Sequence, residues 1–600
     1  MKKVISWLFF SIFYTIFTIL MLFYLDLANG PFYFLLIELG IIILILIIRL
    51  LLNKKNFFVR NLVFLMFIAL NVPVVIFAHP AITTKRAVND SNAKQTEVLE
   101  LRNGKVVGLL NTDETVQVYA GIPYAKAPVG DLRWKEPQEA ESWEGVLDCT
   151  NFAPRAMQKD RAAVINSAVD IYAEKSWHPD YSSGTLEPMS EDCLYLNIWR
   201  PNNDKKDLPI VVYIHGGSLM TGGSSHEDHN GEAFAKNDVI MITISYRLGI
   251  FGYLALEELA SESPNGTTGN YGLLDQIMAL QWVNLNSEYF GGDKNNITIA
   301  GESAGSSSVN ALCCSPLAKG LFKRAIAESS SITQQTPPHT FRTMEKALAM
   351  GKEIMNEFSV SSLSQLRSMS AEELVQTKYE NSAMTVDGYA LTKMPYETYL
   401  AHENNEEVLL NGYNLKEADA FVVPTFLLNP TNKDNIRDRV AAYLNEEVAD
   451  ELMEYYKDRI DNGDAFAVLN EIVSIYWFIN PHHNWSNMMC ANGQTVYRYQ
   501  FTKENGYYGT YHSGEIIYAY GNLYRSPRQF AYSEEDYALS NIMSSYWLNF
   551  IKTGNPNGEG LPEWKAYDPN ENLVLELGEN VGMINDEYLE VYSIINKIYQ

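Results

Sequence analysis

The apolar positions of this chain follow two regimes. Up to residue 78 they form long runs; beyond residue 98 they break into short runs separated by polar stretches of helical length. Val4 to Leu25 carries no charged residue, Pro31 to Ile48 is interrupted only by Glu38, and Asn61 to Ala78 is shorter and contains Asn71 and Pro73. Runs of this length predict about three transmembrane helices within residues 1–80. A cleaved signal peptide would have one short apolar core, so three successive runs predict a retained anchor. The next stretch, residues 81–97, is polar and unpatterned and is expected to be a linker.

From Val98 onward short apolar runs alternate with longer helical patterns, the signature of an α/β fold, here one large domain over residues 98–600. Leu208 to Ile214 and Val239 to Tyr246 are nearly continuous apolar runs, as expected of strands covered on both faces of a mainly parallel sheet. Leu273 to Val283 has helical spacing. Further strands are predicted at Asn296 to Ala300, Ala325 to Ala327, Val408 to Leu410 and Val496 to Phe501. Sites in such sheets form beyond the carboxyl ends of the strands, which directs attention to the residues just after each run.

Charge sharpens the division. The chain has 46 basic and 72 acidic residues and a net charge of -26, a balance that argues against nucleic acid as a partner. Residues 1–80 nevertheless hold six basic residues (Lys2, Lys3, Arg49, Lys54, Lys55, Arg60) against two acidic ones (Asp26, Glu38), so the remainder carries -30. Lys2 and Lys3 flank the first run and the other four fill the second loop, which puts the amino end and that loop in the cytoplasm and everything after Ala78 outside. Glu38 within a span raises a functional question by default; the plainer expectation is a protonated carboxyl hydrogen-bonded to a neighbouring helix. Five cysteines, with no zinc-type spacing, leave one Cys149–Cys193 disulfide open.

The chemistry concentrates after the strands. Gly301-Glu302-Ser303-Ala304-Gly305 follows a β-branched run and precedes small residues that can open a helix, the setting of a nucleophile elbow with Ser303 at its apex. After Leu208 to Ile214 comes His215-Gly216-Gly217-Ser218, whose bare backbone can turn N–H groups towards a developing oxyanion. Gly217, Ser218 and Ala304 are the expected donors. A triad on such a fold runs serine, acid, histidine, so Glu417 and Asp419, in the loop after Val408 to Leu410, are both candidate acids. His512, just beyond Val496 to Phe501, is the candidate base. His482 and His483 read as helix-end or surface residues. His226 and His229 lie in Ser224 to Gly231, which offers no companion ligands and reads as a solvated loop. No metal or cofactor is expected.

These motifs, and the text between them, resemble the type-B carboxylesterase family, which includes the cholinesterases and bacterial para-nitrobenzyl esterases. The resemblance covers roughly residues 98 to 598 and includes Tyr119-Ala-Gly-Ile-Pro-Tyr-Ala125, Ser190-Glu-Asp-Cys-Leu-Tyr-Leu-Asn-Ile-Trp199, Asn270-Tyr-Gly-Leu-Leu-Asp-Gln276 and Thr553-Gly-Asn-Pro-Asn-Gly558. It implies an α/β-hydrolase fold with a triad of Ser303, Glu417 and His512, choosing Glu417 over Asp419, and a pocket lined by Glu302 and Gly216. It departs from the family at Ser218, where a third glycine is usual, and at Ala156, where the cysteine that partners Cys193 is usual. Asp160 to Leu186 is expected to shape the pocket rim. The function implied is hydrolysis of small carboxylic esters through an acyl-enzyme, with no cofactor, by an outward-facing domain held in the bilayer by residues 1–80. The alternative on the same fold is a non-catalytic adhesion protein or membrane sensor.

Overall fold

The computed structural model describes residues 2–28, 33–78, 81–159, 185–418, 421–422, 430–504, 510–526 and 532–599. The chain forms two compact units, one centred on residues 2–84 and a larger one that begins at Lys85.

In the first unit the three apolar runs become three helices, α1 (Lys2–Ala28), α2 (Tyr33–Leu51) and α3 (Phe57–Phe77), each long and apolar enough to cross a membrane. The Asn56 side chain caps α3 by accepting from the Val59 N–H, and the helix continues through Pro73. Phe10, Ile45, Val63 and Phe67 fill the seam between the helices, while Leu8, Ile16, Ile43 and Leu65 point outward. A water-soluble bundle shares the apolar seam but carries polar residues outside; the apolar outer face here suits lipid. Trp7 Nε1 donates to Asn53 Oδ1 at 3.1 Å and the Tyr24 hydroxyl to Val75 O at 2.7 Å, so both ends of α1 are pinned. The hydrogen bond expected from Glu38 to a neighbouring helix is not made. Its carboxyl is buried with neither oxygen partnered among the described residues.

The second unit is built on an eleven-stranded sheet, whose strands we number in chain order. They are β1 (Leu109–Leu110), β2 (Val116–Pro123), β3 (Tyr195–Pro201), β4 (Leu208–Ile214), β5 (Ile240–Ile244), β6 (Gly292–Glu302), β7 (Arg324–Glu328), β8 (Val408–Asn414), β9 (Thr495–Phe501), β10 (Leu573–Leu577) and β11 (Val581–Asn585). Their order across the sheet is β1-β2-β3-β5-β4-β6-β7-β8-β9-β10-β11, parallel from β5 to β10 and antiparallel at both margins. The apolar runs read from the sequence are the central parallel strands, covered on one face by α4 (Tyr271–Asn286) and α5 (Ala304–Cys314) and on the other by the later helix Glu534–Thr553. Side chains such as Val212, Ile242 and Ile299 are wholly buried, each worth about 1.5–3 kcal/mol over exposure.

Several expectations change on contact with the tertiary structure. Residues 85–97 are hydrogen-bonded into the second unit rather than forming a free linker. The Ala87 N–H donates to Thr150 O, Thr96 N–H to Gly108 O, and Leu110 N–H to Lys94 O, and Ala87 and Val88 are buried. Cys149 and Cys193 are both free and buried, and Ala156 lines the same small cavity as Cys193, with a methyl where a partner thiol was in question. Only His226 of the loop pair is solvated; His229 is buried and stacks on Tyr213 at 4.5 Å. His482 and His483 open α6 (Asn480–Ala491), yet both are buried rather than on the surface, because this first turn packs against β8, with Ser486 bonded to Asn411. Burial pushes both imidazoles down to about 3.

Candidate active site

Two adjacent pairs of parallel strands, β4 with β6 and β8 with β9, deliver the candidate residues to one end of the sheet. β6 ends at Glu302, Ser303 makes the turn, and α5 starts at Ala304. Ser303 adopts φ 56° and ψ -127°, a conformation that L-residues avoid and that the surrounding backbone imposes: its N–H donates to Glu328 O at 2.9 Å. The flanking glycines are sterically required. A Cβ on Gly305 would sit 2.0 Å from Ile214 O, and one on Gly301 would sit 2.7 Å from the Gly305 carbonyl and 2.8 Å from Ile214 O.

The candidate acid Glu417 and candidate base His512 reach the serine through two loops fastened together. The Lys416 N–H donates to Thr510 O at 2.9 Å and Asn414 Nδ2 to Tyr511 O at 2.9 Å, which holds the loop after β8 against the loop after β9. His512 Nε2 then lies 2.8 Å from Ser303 Oγ, and His512 Nδ1 lies 2.6 Å from Glu417 Oε2. The other Glu417 oxygen accepts the Asn414 N–H at 2.7 Å. Asp419 lies outside the described residues, as do residues 160–184 of the expected rim.

The glycine loop after β4 closes the other side. A Cβ on Gly216 would fall 3.0 Å from both the Ser303 Cβ and Glu302 Oε2, so this loop rests directly on the elbow. Gly217 has φ 103°, and Ser218 and Leu219 both have φ 57°. Ser218 thus holds a left-handed conformation that costs a non-glycine residue roughly 1 kcal/mol. The amides of Gly217, Ser218 and Ala304 have no hydrogen-bond acceptor among the described residues. Ala304 is also the first residue of α5, where the helix dipole adds positive potential.

Beneath the serine lies a polar layer that motif reading passed over. Glu302, Glu328, Glu417 and Glu515 are all buried, and none forms an ion pair with lysine or arginine among the described residues. Glu302 Oε1 accepts from Ser513 Oγ at 2.5 Å and lies 3.5 Å from His512 Nε2. Glu328 accepts from Tyr520 OH and Trp547 Nε1, and Glu515 from Ser329 Oγ and Asn414 Nδ2. Burial pushes the Glu302 carboxyl up to about 8 despite His512, and Glu417 to about 8 despite the Asn414 amide. Burial and the neighbouring Glu417 push Glu515 up to about 7, and burial with Glu515 holds Glu328 well above the carboxylate range. Neither Glu328 nor Glu515 was singled out in the sequence: one directly follows the Ala325 to Ala327 run and the other lies three residues after His512.

Sequence reading also missed the aromatic flank of the base. Phe478 stands 4.7 Å and Phe421 5.5 Å from the His512 ring, centroid to centroid. Phe478 belongs to a π-helical turn, Ile475–Ile479, that displaces the following residues by one position. Among the described residues no group of three or more His, Cys, Asp or Glu is arranged to hold a metal ion.

An α/β-hydrolase sheet carrying a serine elbow defines the class of protein. The profile of the carboxylesterase family matches residues 95–593. Carboxylesterase 1C of Rattus norvegicus is 33% identical over 502 residues, spanning 79% of this chain and 88% of its own length. The rat protein named pyrethroid hydrolase Ces2e is 32% identical over 506 residues, spanning 80% of this chain and 85% of its own length. Among solved structures, the carboxylesterase EST55 of Geobacillus stearothermophilus superposes with a TM-score of 0.71 at 31% identity, covering 83% of this chain and 100% of that one. A PNB esterase superposes with a TM-score of 0.68 at 28% identity, covering 83% and 99%. The chain belongs to the carboxylesterase family and is a carboxylic ester hydrolase.

Proposed function

We propose that this protein is a membrane-tethered serine esterase that works through an acyl-enzyme, with Ser303 as nucleophile, His512 as general base and Glu417 as the acid that orients it. The observation that carries this reading is the continuous chain of contacts, 2.8 Å from Ser303 Oγ to His512 Nε2 and 2.6 Å from His512 Nδ1 to Glu417. Ser303 attacks the ester carbonyl while His512 takes its proton; the alcohol leaves with that proton, and water releases the acid by the same route. Ionised Glu417 is costly in its buried position, and the imidazolium that forms at His512 supplies the cation it lacks. The pair is therefore better satisfied in the transition state than at rest, which is what lowers a barrier.

Gly217, Ser218 and Ala304 donate to the oxyanion, and Glu302 with Gly216 borders the reacting carbon. Residues 1–80 hold the enzyme in the bilayer, with the basic residues of that segment cytoplasmic and residues 98–600 outside. The substrates are small carboxylic esters. The test is hydrolysis of p-nitrophenyl acetate and butyrate by the full chain in detergent beside its Ser303→Ala variant. Turnover lost in the variant supports the mechanism; folded protein inactive in both forms would turn the reading to adhesion or sensing.

A further inference from the structure

The N-terminal bundle buries a pair of cations that its own residues do not neutralise. Arg49, in the last turn of α2, is 0% exposed, and Arg60, in the first turn of α3, is 5% exposed. One nitrogen of Arg49, Nη2, donates to Ser6 Oγ at 3.0 Å and Ser6 O at 3.3 Å, and its guanidinium lies 4.6 Å over the Trp7 ring and 5.1 Å over Phe10. The Nε and Nη1 of both arginines, by contrast, are buried without a hydrogen-bond partner among the described residues. Arg49 at the end of α2 and Arg60 at the start of α3 lie at the same end of the bundle, and the amino end of α3 adds the positive end of its helix dipole.

No carboxylate of this unit's amino-terminal segment is within reach. Residues 1–80 contain only Asp26 and Glu38. Asp26 is near the far end of α1 from Ser6, and Glu38 precedes Arg49 on the same helix by roughly three turns, about 16 Å along the axis. Nor can the pair discharge by losing protons, since a guanidinium stays charged at any pH a protein survives. Unpaired N–H donors on planar cations call for an anion with several acceptor oxygens, and a phosphate group fits that description. Depth selects the source. Ser6, Arg49 and Arg60 sit just inside the ends of their apolar helices, at the level of lipid headgroups, and Lys2, Lys3, Lys54 and Lys55 belong to the same end of the bundle.

We infer that Arg49 and Arg60, with Ser6, form a binding site for the phosphate of an anionic phospholipid at the end of the bundle that carries all six basic residues of residues 1–80. The inference rests on reading that bundle as a membrane anchor.

Native mass spectrometry of the full chain released from nanodiscs of mixed phosphatidylcholine and phosphatidylglycerol tests the site. Wild-type protein should retain phosphatidylglycerol about tenfold over phosphatidylcholine, and Arg49→Gln/Arg60→Gln should lose that preference. Lys54→Gln/Lys55→Gln, which alters exposed charge only, should keep most of it. Arg49→Lys/Arg60→Lys should keep part, which separates loss of charge from misfolding, and p-nitrophenyl acetate hydrolysis reports on the fold of the catalytic unit in each variant. Equal retention of both lipids by wild-type protein, or an undiminished preference in the double glutamine variant, would overturn the site. Inorganic phosphate raising the Tm of delipidated wild-type protein, with no lipid preference, would overturn the lipid assignment. Release of the full chain from membranes by alkaline carbonate would refute the anchor instead, a separate failure.

Discussion

The N-terminal unit buries two guanidinium groups, Arg49 and Arg60, and the catalytic unit buries, near Ser303, a cluster of four carboxyl groups, Glu302, Glu328, Glu417 and Glu515. In each case like charges share an interior without a fixed counter-ion among the described residues, but the chemistry of the two groups gives different remedies. A carboxyl can take up a proton, and burial pushes Glu302 and Glu417 up to about 8 and Glu515 to about 7. A guanidinium has no such recourse and has to find an anion. The catalytic cluster is therefore tunable by pH, and its charge can appear when a cation forms at His512. The arginine pair is a permanent electrostatic demand, met from outside the chain.

Variants can break this comparison, and the largest effect is at the nucleophile. Ser303→Ala should lower p-nitrophenyl acetate turnover by roughly 10⁴- to 10⁶-fold with the fold intact by circular dichroism. Glu417→Gln should lower kcat by roughly 10³- to 10⁴-fold, because the amide cannot supply the charge that supports imidazolium; a loss below tenfold would remove Glu417 from the triad. Gly305→Ala should cost about 3–4 kcal/mol in urea unfolding, since its Cβ would meet the Ile214 carbonyl.

Glu302→Gln sharpens the comparison with a smaller and conditional effect. With the carboxyl raised to about 8, Glu302 is neutral near pH 6, where the amide replaces it with little consequence. As pH rises through about 8 the wild-type group ionises 3.5 Å from His512 and supports the cation, so the deficit of the variant should widen to about tenfold. Stability should move the other way. Between the unfolded carboxyl value of 4.5 and the folded value of about 8, the native state holds more protons than the unfolded one, so the Tm of the wild-type catalytic unit should fall as pH rises through this window. Glu302→Gln should flatten that slope, and identical slopes would show that Glu302 is not the buried neutral acid described. The smallest effect is expected from deleting residues 2–77, which should leave turnover unchanged, since the core of the second unit contains none of them.

Much of the site was legible because its requirements are local. A nucleophile elbow needs glycines two residues either side of the serine, and the strands that carry it need near-continuous apolar runs; both are written in neighbouring positions. Glu417 was separable from Asp419 by resemblance alone, since two acids in one loop look alike until a fold brings one to the histidine. The buried positions of His229, His482 and His483 were not legible, because each is hidden by an element distant in sequence: Tyr213 of β4 stacks on the first, and β8 packs beneath the helix that carries the others.

By itself the sequence determined the alternation of strand and helix, the three long apolar helices, the sign of charge at each end, and which serine, histidine and glycines are the candidates for the chemistry. Each follows from side-chain type and spacing along the chain. Tertiary structure alone decided that four glutamates would lie together beneath Ser303 and that two arginines would both be buried at one end of the bundle. Those arrangements depend on which loops and helices meet, and the free energy of a buried charge depends on what surrounds it in space rather than on its neighbours in sequence.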